Sequence, residues 1–341
     1  MMNAPILQLD YAVRSVVTGA VRRVAPEPTV AAGSIPGYGP IFNAGLLNHN
    51  GRLHLFARAV RDTYRRNVGP GPRFLDYVSD IVVFESIGGD FEYRYVLARA
   101  GDFGVDCFED PRLQVVRSRG RQHLVMTYTN LPASDGMPWR VGAHRLDHDG
   151  DRFHLDPGSG QLLGPAGVQD KDGVVFNLAD GRIALVHRIH PDMQLAIFDD
   201  LEHLWNAGTD YWDAHLADIE SHTIIRPSMG ALGIGAGAPP IPTPLGLLLF
   251  FHERRADGAY TMNLALLDDR TGRPLSILSE ALLAPELSWE IEGDVDNVIF
   301  VQGAHLHDDG DTIYLVYGAA DRHVGAATAS ASHLLSLLCH A

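Results

Sequence analysis

Cysteine is almost missing from this chain. Only Cys107 and Cys339 occur in 341 residues, with no CxxC spacing. That argues against a disulfide scaffold and against a zinc site, and it fits a reducing compartment. Long apolar runs are missing as well. The longest, LGLLLFF at 245–251, is the size of a strand and far short of a membrane span. The N-terminal stretch carries Asp10 and Arg14 too early for a secretory signal, so a cytoplasmic location is expected. Basic residues are scarce: 27 Lys and Arg face 42 Asp and Glu, for a net charge of -15. Such a surface repels phosphate backbones and anionic membranes, so neither nucleic acid nor membrane is an expected partner. An anion would have to be held by a local cluster of cations. Helical periodicity is rare too, confined to residues near 8–18 and to SASHLLSLLCH near 330–340.

What the chain has in quantity is glycine and proline, 35 and 20 residues spread along its length, as many turns between short strands require. It also repeats a phrase: a glycine turn, a β-rich run, then a polar residue. The phrase starts at Gly51, Gly120, Gly181, Gly246 and Gly310, with spacings of 69, 61, 65 and 64. Even spacing is the mark of a repeat architecture. Companion strands are expected at 81–86, 193–200 and 261–269, and GALGIGAGAPP at 230–240 is expected to be a loop. GIGAG superficially echoes a phosphate-binding loop, but Pro239 and Pro240 forbid the helix that must follow. The fold expected is all-β, a five-bladed β-propeller. A single domain over residues 1–341 is expected, with short helical N- and C-terminal segments. With each phrase taken as an innermost strand, its polar ends Arg58, Thr129, Arg188, His252 and Asp321 converge on one pocket.

CFEDPR, residues 107–112, places Glu109 and Asp110 before a proline and an arginine. Proline fixes its own φ and pushes Asp110 out of the helical region. A rigidly held acid beside the Arg112 guanidinium suits a positioned proton donor. His305, His307, Asp308 and Asp309 look like metal ligands but read better as a polar loop, so no metal is expected.

An ordered series of motifs carries a resemblance. FNAG at 42–45, CFEDPR at 107–112, KDGVVF at 171–176, LVHR at 185–188, GIGAGAPPI with LLLFFH ending at His252, WEIEGDVDNVIF at 289–300 and VYGAAD at 316–321 follow one another. In this the chain resembles glycoside hydrolase family 130, the mannoside phosphorylases and β-1,2-mannosidases, over roughly residues 35 to 325. The resemblance implies a five-bladed propeller and Asp110 as catalytic acid, in some members acting through a sugar hydroxyl. It implies Asn43, Arg58, Glu290 and Asp321 as substrate-binding residues, and Lys171, Arg188, His252 and Tyr260 as phosphate-binding residues. No organic cofactor is implied; inorganic phosphate is the co-substrate of a phosphorylase. An oligosaccharide or disaccharide is the expected partner, and a homo-oligomer is compatible with the family.

The chain departs from the family pattern at several positions. Lys171-Asp172 stands where many phosphorylases have Arg-Asn, Gly233 where a lysine is expected, Asn177 where proline is usual, and Glu253 follows His252. Losing a cation and gaining a carboxylate weakens a pocket for a doubly charged anion. The leading expectation remains inverting cleavage of a β-mannoside by phosphate to give α-mannose 1-phosphate, and the alternative is a β-1,2-mannosidase that uses water on the same fold. Glu253, Glu290 and Asp172 are the candidate bases for the hydrolytic route. A third possibility is a non-catalytic carbohydrate-binding propeller.

Overall fold

A computed structural model describes residues 16–132 and 136–340. Five antiparallel sheets follow one another along the chain as the blades of a propeller. Blade 1 runs outward through Tyr38–His49, Arg52–Arg61, Ser79–Ile87 and Asp90–Ala98. Blade 2 comprises Phe108–Ser118, Arg121–Asn130 and Arg140–His148, with Phe153–Leu155 and Gln161–Leu163 on its outer edge. Lys171–Asn177, Ile183–Arg188, Met193–Phe198 and Thr223–Ile225 make blade 3. Blade 4 has Gly233–Ala236, Gly246–Arg254, Tyr260–Leu267 and Pro274–Ile277, with Ile241–Thr243 also on its second strand. In blade 5, Ile299–Leu306, Thr312–Ala319 and His323–Ser330 are completed by Val21–Arg23 from the start of the chain, paired Val21 to Ala329 and Arg23 to Ala327. That pairing closes the ring and covers the edge of the last blade.

The repeated glycine phrase marks the second strand of every blade, which corrects the expectation that it marks the innermost one. The reason is burial. A second strand is covered on both faces, so it reads as a continuous apolar run such as Leu247 to Phe251. The innermost strands are interrupted instead. In blades 1, 2 and 3 the register shifts by a bulge at Asn43, Asp110 and Asp172. Each of these residues has a left-handed φ, of 46°, 53° and 57°. Asn and Asp tolerate that conformation better than other side chains. Three blades thus use one device to turn a polar side chain out of the ladder. The fourth innermost strand, Gly233–Ala236, lies inside the stretch expected to be a loop.

The core is five apolar clusters, one at each seam between blades. Leu55, Ala57 and Ala59 face blade 5, whereas Phe56 between them packs with Phe108 and Met126 of blade 2. The strand's twofold periodicity thus serves two seams at once. Each fully buried Leu, Ile or Phe contributes about 1.5–3 kcal/mol. Close packing at the axis requires glycine: a Cβ on Gly303 would lie 2.5 Å from Leu46 Cβ of blade 1.

The axis is plugged near the site. The buried Arg112 guanidinium donates to Gly237 O at 2.8 Å, Ala236 O at 2.9 Å and Asp110 O at 3.1 Å. Gln302 Nε2 of blade 5 donates to Asn43 O at 2.8 Å and Pro111 O at 2.9 Å. These bonds join four of the blades and satisfy the carbonyls that the bulges free.

Among the described residues, helices decorate the propeller at the 201–222 insertion and the tail, besides the short turn Ser288–Ile291. Leu201–Trp205, Thr209–Ala217 and Ile219–His222 form an insertion before the last strand of blade 3, which the periodicity does not show. Asp200 caps its first helix by accepting from His203 N at 2.9 Å. Leu201, Leu204, Trp205 and Trp212 bury against the seam of blades 2 and 3. The tail helix Ala331–Cys339 packs Leu334 and Leu338 against the seam of blades 4 and 5. The N-terminal segment near 8–18 lies mostly outside the described residues. Among the described residues no helix is long and apolar enough to cross a membrane.

Candidate active site

The bulges of blades 1 and 2 bring Asn43 and Asp110 together. Asn43 Nδ2 donates to Asp110 Oδ1 at 2.8 Å. Arg58, on the second strand of blade 1, donates from Nη1 to the same oxygen at 3.3 Å and from Nη2 to Glu109 Oε1. Its guanidinium lies over the rings of Phe42 at 4.8 Å and Tyr77 at 5.4 Å. The cation beside the Asp110 carboxylate is therefore Arg58; Arg112, the sequence neighbour expected there, reaches across the axis instead.

These charges set the protonation of the cluster. Burial pushes the Asp110 pKa up, but Arg58, Lys171 and Arg112 together with the Asn43 bond outweigh it and hold it below the usual value. Glu109 moves the other way: burial, helped by the Asp110 charge, outweighs Arg58. Asp321 follows the second strand of blade 5 with a φ of 54°. Burial, then the charges of Asp110 and Glu109, push it up to about 7 against the pull of Arg58 and Lys171. Burial thus favours its protonated form, and a carboxyl that keeps its proton can donate to a hydroxyl.

A second cluster comes from blades 3 and 4. Asp172, fully buried, accepts from Arg112 Nη2 at 3.1 Å and Arg188 Nε at 2.9 Å, and His252 Nε2 stands 3.7 Å from its Oδ2. Burial opposes its charge, yet Lys171, Arg188 and Arg112 keep it well below the usual carboxylate range. Burial, with Arg188, Arg112 and Lys171 adding to it, drives the His252 pKa down to about 3 against Asp172. Its imidazole is neutral at pH 7. It packs on Phe300 with centroids 4.1 Å apart and on Tyr260 at 6.0 Å. The Lys171 ammonium sits 5.5 Å from the Trp139 ring.

The glycine strand 233–236 is the bare wall of this second cluster. A Cβ on Gly235 would lie 2.3 Å from Asp172 Oδ2 and 2.6 Å from His252 Cε1, so no other residue fits there. At Gly233 the space that a side chain would take is bordered by His190, 3.3 Å from the Cβ position.

The structure thus gathers Asn43, Arg58, Asp110 and Asp321 on one side of the axis, and Lys171, Arg188, His252 and Tyr260 on the other. Thr129, fully buried, aligns with Glu109 in the ladder, and its hydroxyl finds no partner among the described residues. Glu290 is not brought to either cluster. Its carboxylate accepts from Arg23 Nε at 2.7 Å, Arg23 Nη2 at 2.7 Å, Tyr317 OH at 2.8 Å and the amides of Glu286 and Leu287. It closes a helical turn and ties the first strand to blade 5. Glu290→Gln is expected to cost roughly 2–4 kcal/mol of stability in urea unfolding and to leave the KM for sugar within twofold. Glu253 also turns away, accepting from Ser228 N at 2.8 Å and Ser228 Oγ at 2.6 Å.

Tyr77 shows what the sequence reading passes over. Phe74 stacks on it at 5.0 Å and Tyr64 meets it edge-on at 5.2 Å. The segment of residues 63–73 is thereby rooted beside Arg58, where an aromatic wall leads away from Asp110. His305 and His307 pack ring to ring at 5.3 Å, and no group of metal-binding side chains is found among the described residues.

Comparisons with known proteins identify the family and the fold. The glycoside hydrolase family 130 model, described as beta-1,4-mannooligosaccharide phosphorylase, matches residues 21–340. A 1,2-beta-oligomannan phosphorylase of Thermoanaerobacter sp. (strain X514) is 28% identical, covering 84% of this chain and 88% of its own. A beta-1,2-mannobiose phosphorylase from the same organism is 29% identical, with 84% and 89% covered. Among solved structures, beta-1,2-mannobiose phosphorylase from Listeria innocua superposes with a TM-score of 0.72 at 19% identity, covering 94% of this chain and 99% of its own. With the family model matched across nearly its whole length, this chain belongs to glycoside hydrolase family 130, enzymes that act on mannosidic linkages.

Proposed function

We propose that this protein cleaves β-1,2-mannosides by phosphorolysis with inversion, releasing α-mannose 1-phosphate. The mannosyl ring lies against Asn43, Arg58 and Asp321, with Asp110 at the glycosidic oxygen and phosphate held by Arg188, Lys171 and His252 across the axis. The linkage rests on the relatives that match over most of their length, which are named as β-1,2 enzymes. The β-1,4 relative matches over only 28% of this chain.

One observation carries the choice of phosphate over water. Water needs a free carboxylate opposite the acid, and each candidate is engaged: Glu253 by Ser228, Glu290 by Arg23 and Tyr317, Asp172 by Arg112 and Arg188. Phosphate brings its own charge and needs cations. Arg188 uses Nε on Asp172, so the two Nη groups are left for an anion in a forked geometry.

Asp110 is ionised in the free protein, so the proton delivered to the leaving oxygen has to be gained as the substrates bind. A sugar hydroxyl between Asp110 and the glycosidic oxygen carries it, and the acidic proton of the incoming phosphate balances the cycle. The Asp110 carboxylate ends each turnover as it began.

The test is Arg188→Ala under steady-state kinetics. The KM for phosphate is expected to rise about 100-fold while the KM for the mannoside changes less than threefold. Equal changes in both constants, or a wild-type rate that does not depend on phosphate, would overturn the assignment and leave hydrolysis on the same fold.

A further inference from the structure

We infer that Asp172 is a built-in counter-anion that competes with phosphate for Arg188 and thereby sets how weakly this enzyme holds its co-substrate. This inference rests on the anion site proposed above. Asp172 is not a rim residue that swings into the pocket. It is fully buried, fixed by a bulge with φ 57°, and bound at once by Arg112 and Arg188. Gly235 lets its carboxylate approach the strand closely, since a Cβ there would lie 2.3 Å from Oδ2.

Arg112 contributes little to a ligand, because its guanidinium is buried and already engaged by the three carbonyls and Asp172. His252 is neutral at pH 7. That leaves Arg188 and Lys171 as the cations for a dianion, and the Asp172 charge offsets one of them from a hydrogen bond away. A unit charge about 5 Å from one unit of phosphate charge, through an effective dielectric of about 25 to 50 at a solvent-open pocket, changes an affinity by about 10- to 100-fold. A neutral side chain at this position raises phosphate affinity; a merely positioning residue does the reverse, since without it Arg188 loses its anchor.

The experiment is calorimetric titration of the full chain with inorganic phosphate, without sugar, for wild type, Asp172→Asn and Asp172→Ser. Asparagine keeps an acceptor for Arg112 and tolerates the positive φ; serine is the second neutral variant should the first fail to fold. Asp172→Glu, which keeps the charge, is the control. The expected result is a Kd for phosphate lowered 10- to 100-fold in the folded neutral variants and not lowered in Asp172→Glu. A parallel fall in the KM for phosphate is expected, with the KM for mannoside unchanged. An unchanged or raised Kd in the neutral variants, with a phosphate-dependent wild type, overturns the inference alone. If neither wild type nor a neutral variant binds phosphate at millimolar concentration, the anion site proposed above falls as well.

Discussion

Asp110→Asn is expected to lower kcat on an unactivated β-1,2-mannobiose by about 10²- to 10⁴-fold, the range for loss of a positioned acid. The fold should survive, because the asparagine keeps an acceptor for Asn43 Nδ2 and Arg58 Nη1. Stability at neutral pH should fall modestly, since the ionised Asp110 with its depressed pKa contributes there, while Glu109 still partners Arg58. What separates an acid from a mere binding group is the leaving group. An aryl mannoside with a good leaving group needs no proton, so on it the variant should lose less than about 10-fold. Equal losses on both substrates would show that Asp110 binds the sugar without moving a proton.

Arg58→Ala should have the largest effect on stability. Arg58 is the cation that touches both Glu109 and Asp110, and all three side chains are buried. Removing one partner of a buried ionic set costs about 3–5 kcal/mol, because the remaining charges are left without compensation. The pH dependence gives the test its sign. In wild type the Asp110 pKa is depressed, so its contribution is present above the unfolded pKa of about 3.9 and lost as pH falls through the lower folded value. In the variant both carboxylates lie above their unfolded values. They are then protonated at low pH, and the fold is penalised as pH rises through the raised pKa. The gap between wild type and variant should therefore be widest above pH 7 and narrow toward pH 4, in urea unfolding at several pH values. A gap that is constant with pH would mean that Arg58 acts through its packing on Phe42 and Tyr77. Arg58→Lys restores the charge without the fork and should fall between the two.

Much of the fold is legible in the sequence because second strands, covered on both faces, repeat as apolar runs behind glycine turns. The same physics hides the innermost strands. Bulges and close contacts fill them with Asn, Asp and Gly, so Gly233–Ala236 reads as a loop. The polar motifs FNAG, EDPR and KDG are the innermost strands, and each one's Asn or Asp is the bulged residue. Asn43, Arg58 and Asp110 could be brought together from motif and strand position alone. The reach of Arg112 to Asp172 could not, because the direction of a long side chain beside a bulge depends on a local φ/ψ that no periodicity reports. Glu290 illustrates the opposite failure. It is an acid in a sugar-enzyme motif, but the amides of Glu286 and Leu287 and the Arg23 fork take up its lone pairs. The insertion at 201–222 left one signal, the Asp200 cap before Leu201.

Phosphate, not water, is expected to attack the mannosyl carbon from the side of Arg188. The most direct measurement is to incubate the protein with β-1,2-mannobiose, with and without inorganic phosphate, and to follow mannose 1-phosphate, its anomer and free mannose by NMR. The account predicts α-mannose 1-phosphate and one equivalent of mannose, formed only when phosphate is present. Two equivalents of free mannose at a rate independent of phosphate would contradict it.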